Sequence, residues 1–305
     1  MESRGDLSDA QWARIEPLLP ASSRRCGRWR DHRQVVNGIL HRIRTGVPWR
    51  DVPDRYGPWK TVHERHRRWS ADGTWQMLLR QVQAQEDAAG TVDWDICVDS
   101  TVVRAHHYAA GARHTPPSFP PDTGRSTGRV STKPPPGGER SGAPGEALGR
   151  SRGGFTTKIH LSADGRCRIL SLVITPGQRA DCTQFEAVMD KIRVPRPTGR
   201  PRTTPDSVSA DKGYSNRRTR HYLRRRGIPH TIPEKADQAA NRTRRGRDGR
   251  RPPGFDEDRY KKRNTVERAI NKLKTFRAVA TRFDKRAYVY LGTVTTAALA
   301  IWLRS

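Results

Sequence analysis

DEDRYKKRNTVERAINKLKTF, residues 256–276, carries neither Pro nor Gly, so nothing in it interrupts a helix of roughly twenty residues. At about 100° per residue, Tyr260, Arg263, Glu267 and Lys274 fall within roughly 60° of one another. Val266, Ile270 and Leu273 form an adjacent apolar stripe that seats the helix on a core. One edge of the buried face therefore presents a carboxylate, two cations and a phenol. A chain of net charge +28 has little need of further cations for solubility. The plain alternative is a solvated helix with an ordinary Arg263–Glu267 ion pair at i,i+4. The rest of the chain decides between them.

Across 305 residues, 59 Lys and Arg stand against 31 Asp and Glu, and the pI is near 11.2. That balance suits a polyanionic partner, because each neutralised phosphate releases condensed counterions. Hydrophobic residues make up 33% and the mean hydropathy is −0.88, so part of the chain lies outside a packed core. Cys26, Cys97, Cys167 and Cys182 show no CxxC pairing, which argues against a zinc site or a secreted disulfide framework. MESRGDLSDAQW lacks the apolar run of a signal peptide, and residues 288–303 are too short and Thr-rich to span a membrane. A soluble cytoplasmic protein is expected, with no membrane partner.

Outward from the opening stretch, residues 1–90 read as a helical region. DLSDAQWARIEPLLP is a short helix capped by Ser8, and QVVNGILHRIRTG buries Val36, Ile39, Leu40 and Ile43 and stops at Gly46. TVHERHRRWSADGTWQMLLRQVQ reads as two helices broken at Asp72-Gly73. Short helices, tight turns and interleaved Arg and aromatics suit a helix-turn-helix-like DNA-binding module, against a plain bundle with solvated arginines. Trp49, Trp59 and Trp69 are expected to pin its core, and His63 and His66 to lie on a helix surface.

From about residue 91 the texture turns to strands alternating with helices, an α/β or α+β domain running to residue 305. Ile96–Val98 is a short strand closed by Asp99. Residues 108–154 are Gly-, Pro- and Arg-rich and read as a mobile basic loop or a dispensable linker. FTTKIHLSADGRCRILSLVITPG is a hairpin turning at Asp164-Gly165. ADCTQFEAVMDKI is a helix, VSAD a strand ending at Asp211, NRRTRHYLRRRGI a basic helix, PHTIP an edge strand and 235–255 a second basic loop. A core helix closes the chain.

Asp99 and Asp211 each end a short apolar strand, Ile-Cys-Val-Asp and Val-Ser-Ala-Asp. If those strands are neighbours, two carboxylates come together, which is unfavourable without a bridging cation. With Glu267 they offer three hard oxygen donors suited to Mg²⁺ or Mn²⁺. Two such ions about 4 Å apart would activate a hydroxyl nucleophile and stabilise a leaving oxygen in phosphodiester chemistry. For any one of these residues the plain reading is a turn former or helix cap. His106 and His107 read as loop histidines.

The spacing sharpens the set. Tyr260-x2-Arg263-x3-Glu267-x6-Lys274 resembles the Tyr-x2-Arg-x3-Glu-x6-Lys signature of bacterial insertion-sequence transposases, RNase H-like enzymes with an Asp-Asp-Glu (DDE) triad. Asp211-Lys212-Gly213-Tyr214 and Val98-Asp99-Ser100-Thr101 are similar to the other two motifs. LSDAQWARIEPLLP, DHRQVVNGILHRIRTGVPWRDVP, GPWKTV and ATRFDKRAYVYLG resemble the insertion-sequence-five family, itself IS4-like. The resemblance implies an amino-terminal helical domain followed by an RNase H-like mixed-sheet catalytic domain. It implies a metal-binding catalytic triad of Asp99, Asp211 and Glu267, with Tyr260, Arg263, Lys274 and Tyr214 supporting it or touching DNA. The implied chemistry is metal-dependent cleavage at the element's terminal inverted repeats and strand transfer into target DNA, by a homo-oligomer at the bacterial nucleoid. Two readings stay open beside it: an RNase H-like nuclease that cuts without joining, and a transposase-derived DNA-binding protein without catalysis.

Overall fold

The computed structural model describes residues 5–21, 29–112, 145–151, 154–249 and 251–305. Ser8 caps α1 (Asp9–Ala13): its hydroxyl accepts from the Gln11 amide while the Gln11 side chain accepts from the Ser8 amide. Pro17 then turns the chain into a 3₁₀ segment, so this helix is shorter than expected. α2 (His32–Thr45) ends at Gly46, whose φ of 74° closes the last turn. α3 (Trp59–Ala71) and α4 (Thr74–Ala88) part at Asp72-Gly73, as the sequence requires.

Trp69 is fully buried and Trp49 and Trp59 partly so. His66 overturns the surface reading of its pair. It is fully buried, with Nε2 3.1 Å from the Thr293 hydroxyl, while His63 packs half-exposed on Trp49. The Thr293 hydroxyl donates its one proton to Asp284, so His66 Nε2 must be the donor to Thr293. Burial pulls the His66 pKa down to about 3 from the ordinary 6.5. The folded state therefore binds fewer protons than the unfolded chain, and stability is lost as pH falls below 6.5. We expect His66 to contribute up to about 1.4 kcal/mol per pH unit of that loss down to about pH 3. Unfolding free energies from denaturant titrations across pH 7 to 4 should fall less steeply for His66→Gln, by the equivalent of about one proton.

The described strands form one mixed sheet, with central order β4-β3-β1-β5-β6. β1 (Asp95–Ala105) pairs antiparallel with β3 (Gly154–Ala163), which pairs antiparallel with β4 (Ile169–Pro176) through the expected hairpin. On its other edge β1 runs parallel to β5 (Ser207–Ala210), and β5 to the two-residue edge strand β6 (His230–Thr231). β2 (Gly149–Ser151) extends the β4 edge, and β7 (Thr281–Arg282) pairs with the far end of β1. β1 is longer than its apolar run implied. Cross-strand pairing carries it past Asp99 to Ala105, so Asp99 lies mid-strand rather than at a strand end.

The helices that follow show where local rules gave way. α6 (Phe185–Asp190) buries Phe185 and Val188 on β3 and β4, but its expected first turn is 3₁₀, Asp181–Thr183. α7 (Arg217–Arg225) matches the basic helix. Residues 235–255 are not a loop throughout: Ala236–Arg244 forms α8, rich in Ala, Gln and Arg and free of Gly and Pro, with a 3₁₀ turn after it. Of the basic stretch 108–154 only the ends are described, α5 (His107–Ala110) and β2. Its middle, 113–144, and residues 152–153 lie outside the described residues.

The opening helix is two. α9 (Glu257–Lys261) and α10 (Asn264–Lys274) meet at a tightened turn in which Thr265 and Val266 donate to the carbonyls three residues back. Cys97 on β1 explains the register: its thiol lies 3.8 Å from the Lys262 carbonyl and 3.4 Å from the Thr265 hydroxyl. Val266, Ile270 and Leu273 are buried as the stripe requires. α11 (Arg277–Ala280) leads to β7, and α12 (Ala287–Leu303) packs on α2, α3, α4 and β4, so the amino-terminal helices and the sheet share one apolar core. No helix among the described residues is long and apolar enough to cross a membrane.

Candidate active site

Parallel pairing of β1 and β5 sets the first two acidic residues side by side. Cys97 pairs with Ser209 and Val98 with Ala210, so the next step of the same register brings Asp99 beside Asp211. Neighbouring strands lie about 4.8 Å apart, and both residues fall on the sheet face of Cys97, the face that carries α10. Each carboxylate is anchored by the amide that follows it: Ser100 N donates to Asp99 at 2.8 Å and Lys212 N to Asp211 at 2.7 Å.

Glu267 reaches this edge from α10 but meets a cation first. Arg263 donates to Glu267 at 2.6 Å, and its other terminal nitrogen stands 3.8 Å from Asp99. One guanidinium thus spans two of the three carboxylates. It also lies over the Tyr260 ring at 5.7 Å. Lys274 donates to the Val102 carbonyl at 3.4 Å, about two turns beyond Glu267 and over the continuation of β1. Among the described residues, no three His, Cys, Asp or Glu side chains are grouped to hold a metal ion, because Arg263 separates Glu267 from the aspartates.

The electrostatics fit a cation. Burial, and then the Asp211 and Asp181 carboxylates, push the Asp99 pKa above its usual value, against the pull of the Ser100 amide and Arg263. Hard carboxylate oxygens that repel one another at adjacent register positions suit a divalent ion with oxygen preference.

Sequence reasoning missed the support on the other face of β1. Ser100 and Val102 pair with His160 and Lys158 on β3, and three of these, Ser100, His160 and Lys158, reach Asp181. Asp181 accepts from the Ser100 hydroxyl at 2.7 Å and from Lys158 at 2.9 Å. The residue between these anchors is fixed from below, which holds the Ser100 amide on Asp99. Asp181 bonds Ser100 and not Asp99, and reaches Asp99 only through its charge, so it is a positioning group. A carboxylate in the first turn of an expected helix gave no hint of this. Tyr214 is 2% exposed and packs on Phe185 with ring centroids 5.8 Å apart. Burial and the surrounding carboxylates push its phenol pKa up, so it stays protonated and supports the site from within. His106 and His107 stand elsewhere, in an 870 Å³ cavity with Trp49, His63, Phe283 and Tyr288 that contains none of the three acidic residues.

Residues 90–303 match the family profile described as "Transposase DDE domain", and residues 7–79 that described as "Putative transposase of IS4/5 family". The chain belongs to the DDE transposase family. The transposase is 35% identical over 108 residues to "Uncharacterized protein y4sN" of Sinorhizobium fredii, spanning 35% of this chain and 82% of the relative. It is 35% identical over 119 residues to the "Insertion element IS402 uncharacterized 16.2 kDa protein" of Burkholderia cepacia, 36% of this chain and 81% of that one. It is 29% identical over 150 residues to the "Putative transposase for insertion sequence element IS6501" of Brucella ovis, 49% of this chain and all of that one. No solved structure matches the transposase. Its DDE domain is an enzymatic domain of transposition and implies dependence on a divalent metal.

In the metal-free transposase the acidic edge costs stability. Asp99→Asn keeps the acceptor for the Ser100 amide and removes a charge that burial and two neighbours disfavour. We expect it to raise stability at neutral pH, within the roughly 0.5–2 kcal/mol that single stabilising substitutions commonly give. Thermal melts in EDTA check this, and a lowered midpoint would contradict it.

Proposed function

We propose that Asp99, Asp211 and Glu267 are the catalytic triad and hold two Mg²⁺ ions, or Mn²⁺, for cleavage at the element's ends and strand transfer into target DNA. The reading also takes residues 91–305 as an RNase H-like catalytic domain and residues 1–90 as a helix-turn-helix-like module for the terminal inverted repeats. The observation that carries it is the parallel register that sets Asp99 beside Asp211, with α10 bringing Glu267 to the same face.

A bound pair of ions would lower the pKa of an attacking water or 3′-hydroxyl and neutralise charge on the leaving oxygen. The chain's own residues have separate tasks. Asp99 and Asp211 are pre-oriented by backbone amides, so their oxygens need little reorganisation. Glu267 would help hold an ion once its Arg263 contact is given up. Arg263, released and still stacked on Tyr260, can then donate to a phosphate oxygen beside the scissile bond. Lys274, further along the same edge, neutralises a second phosphate. Two DNA ends handled together call for at least a dimer, which acts at the nucleoid.

The test is incubation of the full chain with duplex DNA carrying the gene's own flanks, in Mg²⁺, in Mn²⁺ and in EDTA. Nicked and joined products in either metal and none in EDTA are the expected outcome. Nicks without joining would favour a nuclease, and binding without nicks a DNA-binding protein. A dimer peak in light scattering on the same samples checks the assembly.

A further inference from the structure

Forty residues, 212–251, hold fourteen Lys and Arg against three Asp and Glu, a net +11 of the chain's +28. The fold gathers much of this charge into an open cleft of about 520 Å³ between α7 and α8, lined by Arg217, Arg220, Arg242, Arg245 and Arg251 with Gln238. Glu234 is its one acidic lining residue and is already bound to Arg242 at 3.0 Å. Arg217, Arg245 and Arg251 have no ion-pair partner among the described residues.

Arg220 forms the floor. Its Nη2 donates to the Ser215 hydroxyl at 3.0 Å and the Ile232 carbonyl at 2.9 Å. Its Nη1 is buried with no hydrogen-bond partner among the described residues. Burial lowers the Arg220 pKa, so the cation is short of stabilising contacts where it sits. An unmet guanidinium N–H is destabilising unless an acceptor arrives. α8, the other wall, buries none of its nine residues, and among the described residues Gln238 to Ser215 and Arg242 to Glu234 are the side-chain hydrogen bonds that tie it down. A nine-residue helix with no apolar face is marginal alone, so it gains from a partner in the cleft.

We propose that this cleft is a binding site for the phosphate backbone of duplex DNA, with half-buried Arg220 at its floor and Arg217 and Arg245 at its mouth. The proposal rests on the transposase reading for the identity of the polyanion. Ser215 and Asn216, which join the cleft floor, follow Asp211 by four and five residues. Five residues span at most about 18 Å, roughly half a turn of B-DNA, so a duplex at Asp211 reaches the cleft without bending. The cleft holds the DNA flank at a fixed distance from the acidic edge.

The test measures duplex DNA affinity of the full chain by fluorescence anisotropy between 50 and 200 mM salt. Arg217→Gln/Arg245→Gln changes only exposed side chains and should fold. Its log K against log[salt] slope should shrink by about two, at roughly 0.9 per phosphate contact, and affinity at 0.1 M salt should drop about tenfold per arginine. Arg220→Gln, checked by circular dichroism, should weaken binding by a similar factor. The comparison pair Arg196→Gln/Arg200→Gln removes equal charge from an exposed turn and should leave the slope unchanged. An unchanged slope in the cleft pair, or an equal loss in the comparison pair, would overturn the site in favour of a diffuse field. Either result is separable from failure of the catalytic triad, which is read as loss of cleavage with an intact salt slope.

Discussion

Glu267→Gln should abolish DNA cleavage and joining in Mg²⁺ and leave folding and DNA affinity close to wild type. The two halves of this expectation have different origins. Glutamine keeps the length and shape of Glu267 but gives up the charge that a divalent ion requires, and metal stabilisation of developing charge is worth several kcal/mol. A loss of about 4 kcal/mol is roughly a thousandfold in rate, below detection for a slow recombinase. Stability tells the opposite story. The Glu267 side chain is 48% exposed, and its partner Arg263 sits at i,i+4. Such a pair contributes only about 0.3–0.5 kcal/mol, so the melting midpoint should barely move. Arg263, freed from Glu267, keeps its approach to Asp99 and its stack on Tyr260. If Glu267→Gln cuts at the wild-type rate, Glu267 has no place in the triad. A large fall in melting midpoint would instead make the residue structural.

How much of this was legible beforehand follows the range of the interaction. Capping and turn signals are local, and Ser8, Gly46, Asp72-Gly73 and Asp164-Gly165 all act where the chain order places them. The stripe of Val266, Ile270 and Leu273 was equally readable, since period alone fixes a buried face. The break at Lys262–Arg263 was not, because its cause is Cys97, 165 residues away on another strand. For the same reason β1 runs on through Asp99: its extension is held by β3, not by its own apolar run. The acidic pair was legible only as a condition, that the two strands be neighbours, and pairing supplied the rest. Asp181 and the buried His66 carried no local signal at all. His66-x-x-Trp69 has the spacing of any exposed helix face, and α12, more than two hundred residues on, turns it into core.

The same separation of local signal from distant partner governs the largest stability effect we expect. Arg168→Met should destabilise the fold by about 3–5 kcal/mol, the cost of leaving a buried charge without its partner. Arg168 and Asp164 are 1% and 0% exposed and 2.7 Å apart across the hairpin turn. The guanidinium also donates to Glu86 at 3.1 Å and the Thr91 carbonyl at 2.7 Å, and lies 4.1 Å from the Trp302 ring centroid. One side chain thereby joins α4, the β3–β4 turn and α12. Asp164 accepts from the amides of Arg166 and Arg168 as well, yet burial still pushes its pKa up. Without Arg168 the carboxylate would remain in place, held by the turn and uncompensated. Methionine preserves much of the volume against Trp302, so the loss reports charge rather than a cavity. Asp164→Asn in the Arg168→Met background should then recover part of the loss, because it neutralises the stranded group while Asn keeps the acceptor for the turn amides. Urea unfolding of the single and double variants measures this coupling. Additive effects would mean that the two residues stabilise the turn independently, and the hairpin signal Asp164-Gly165 would be only a turn.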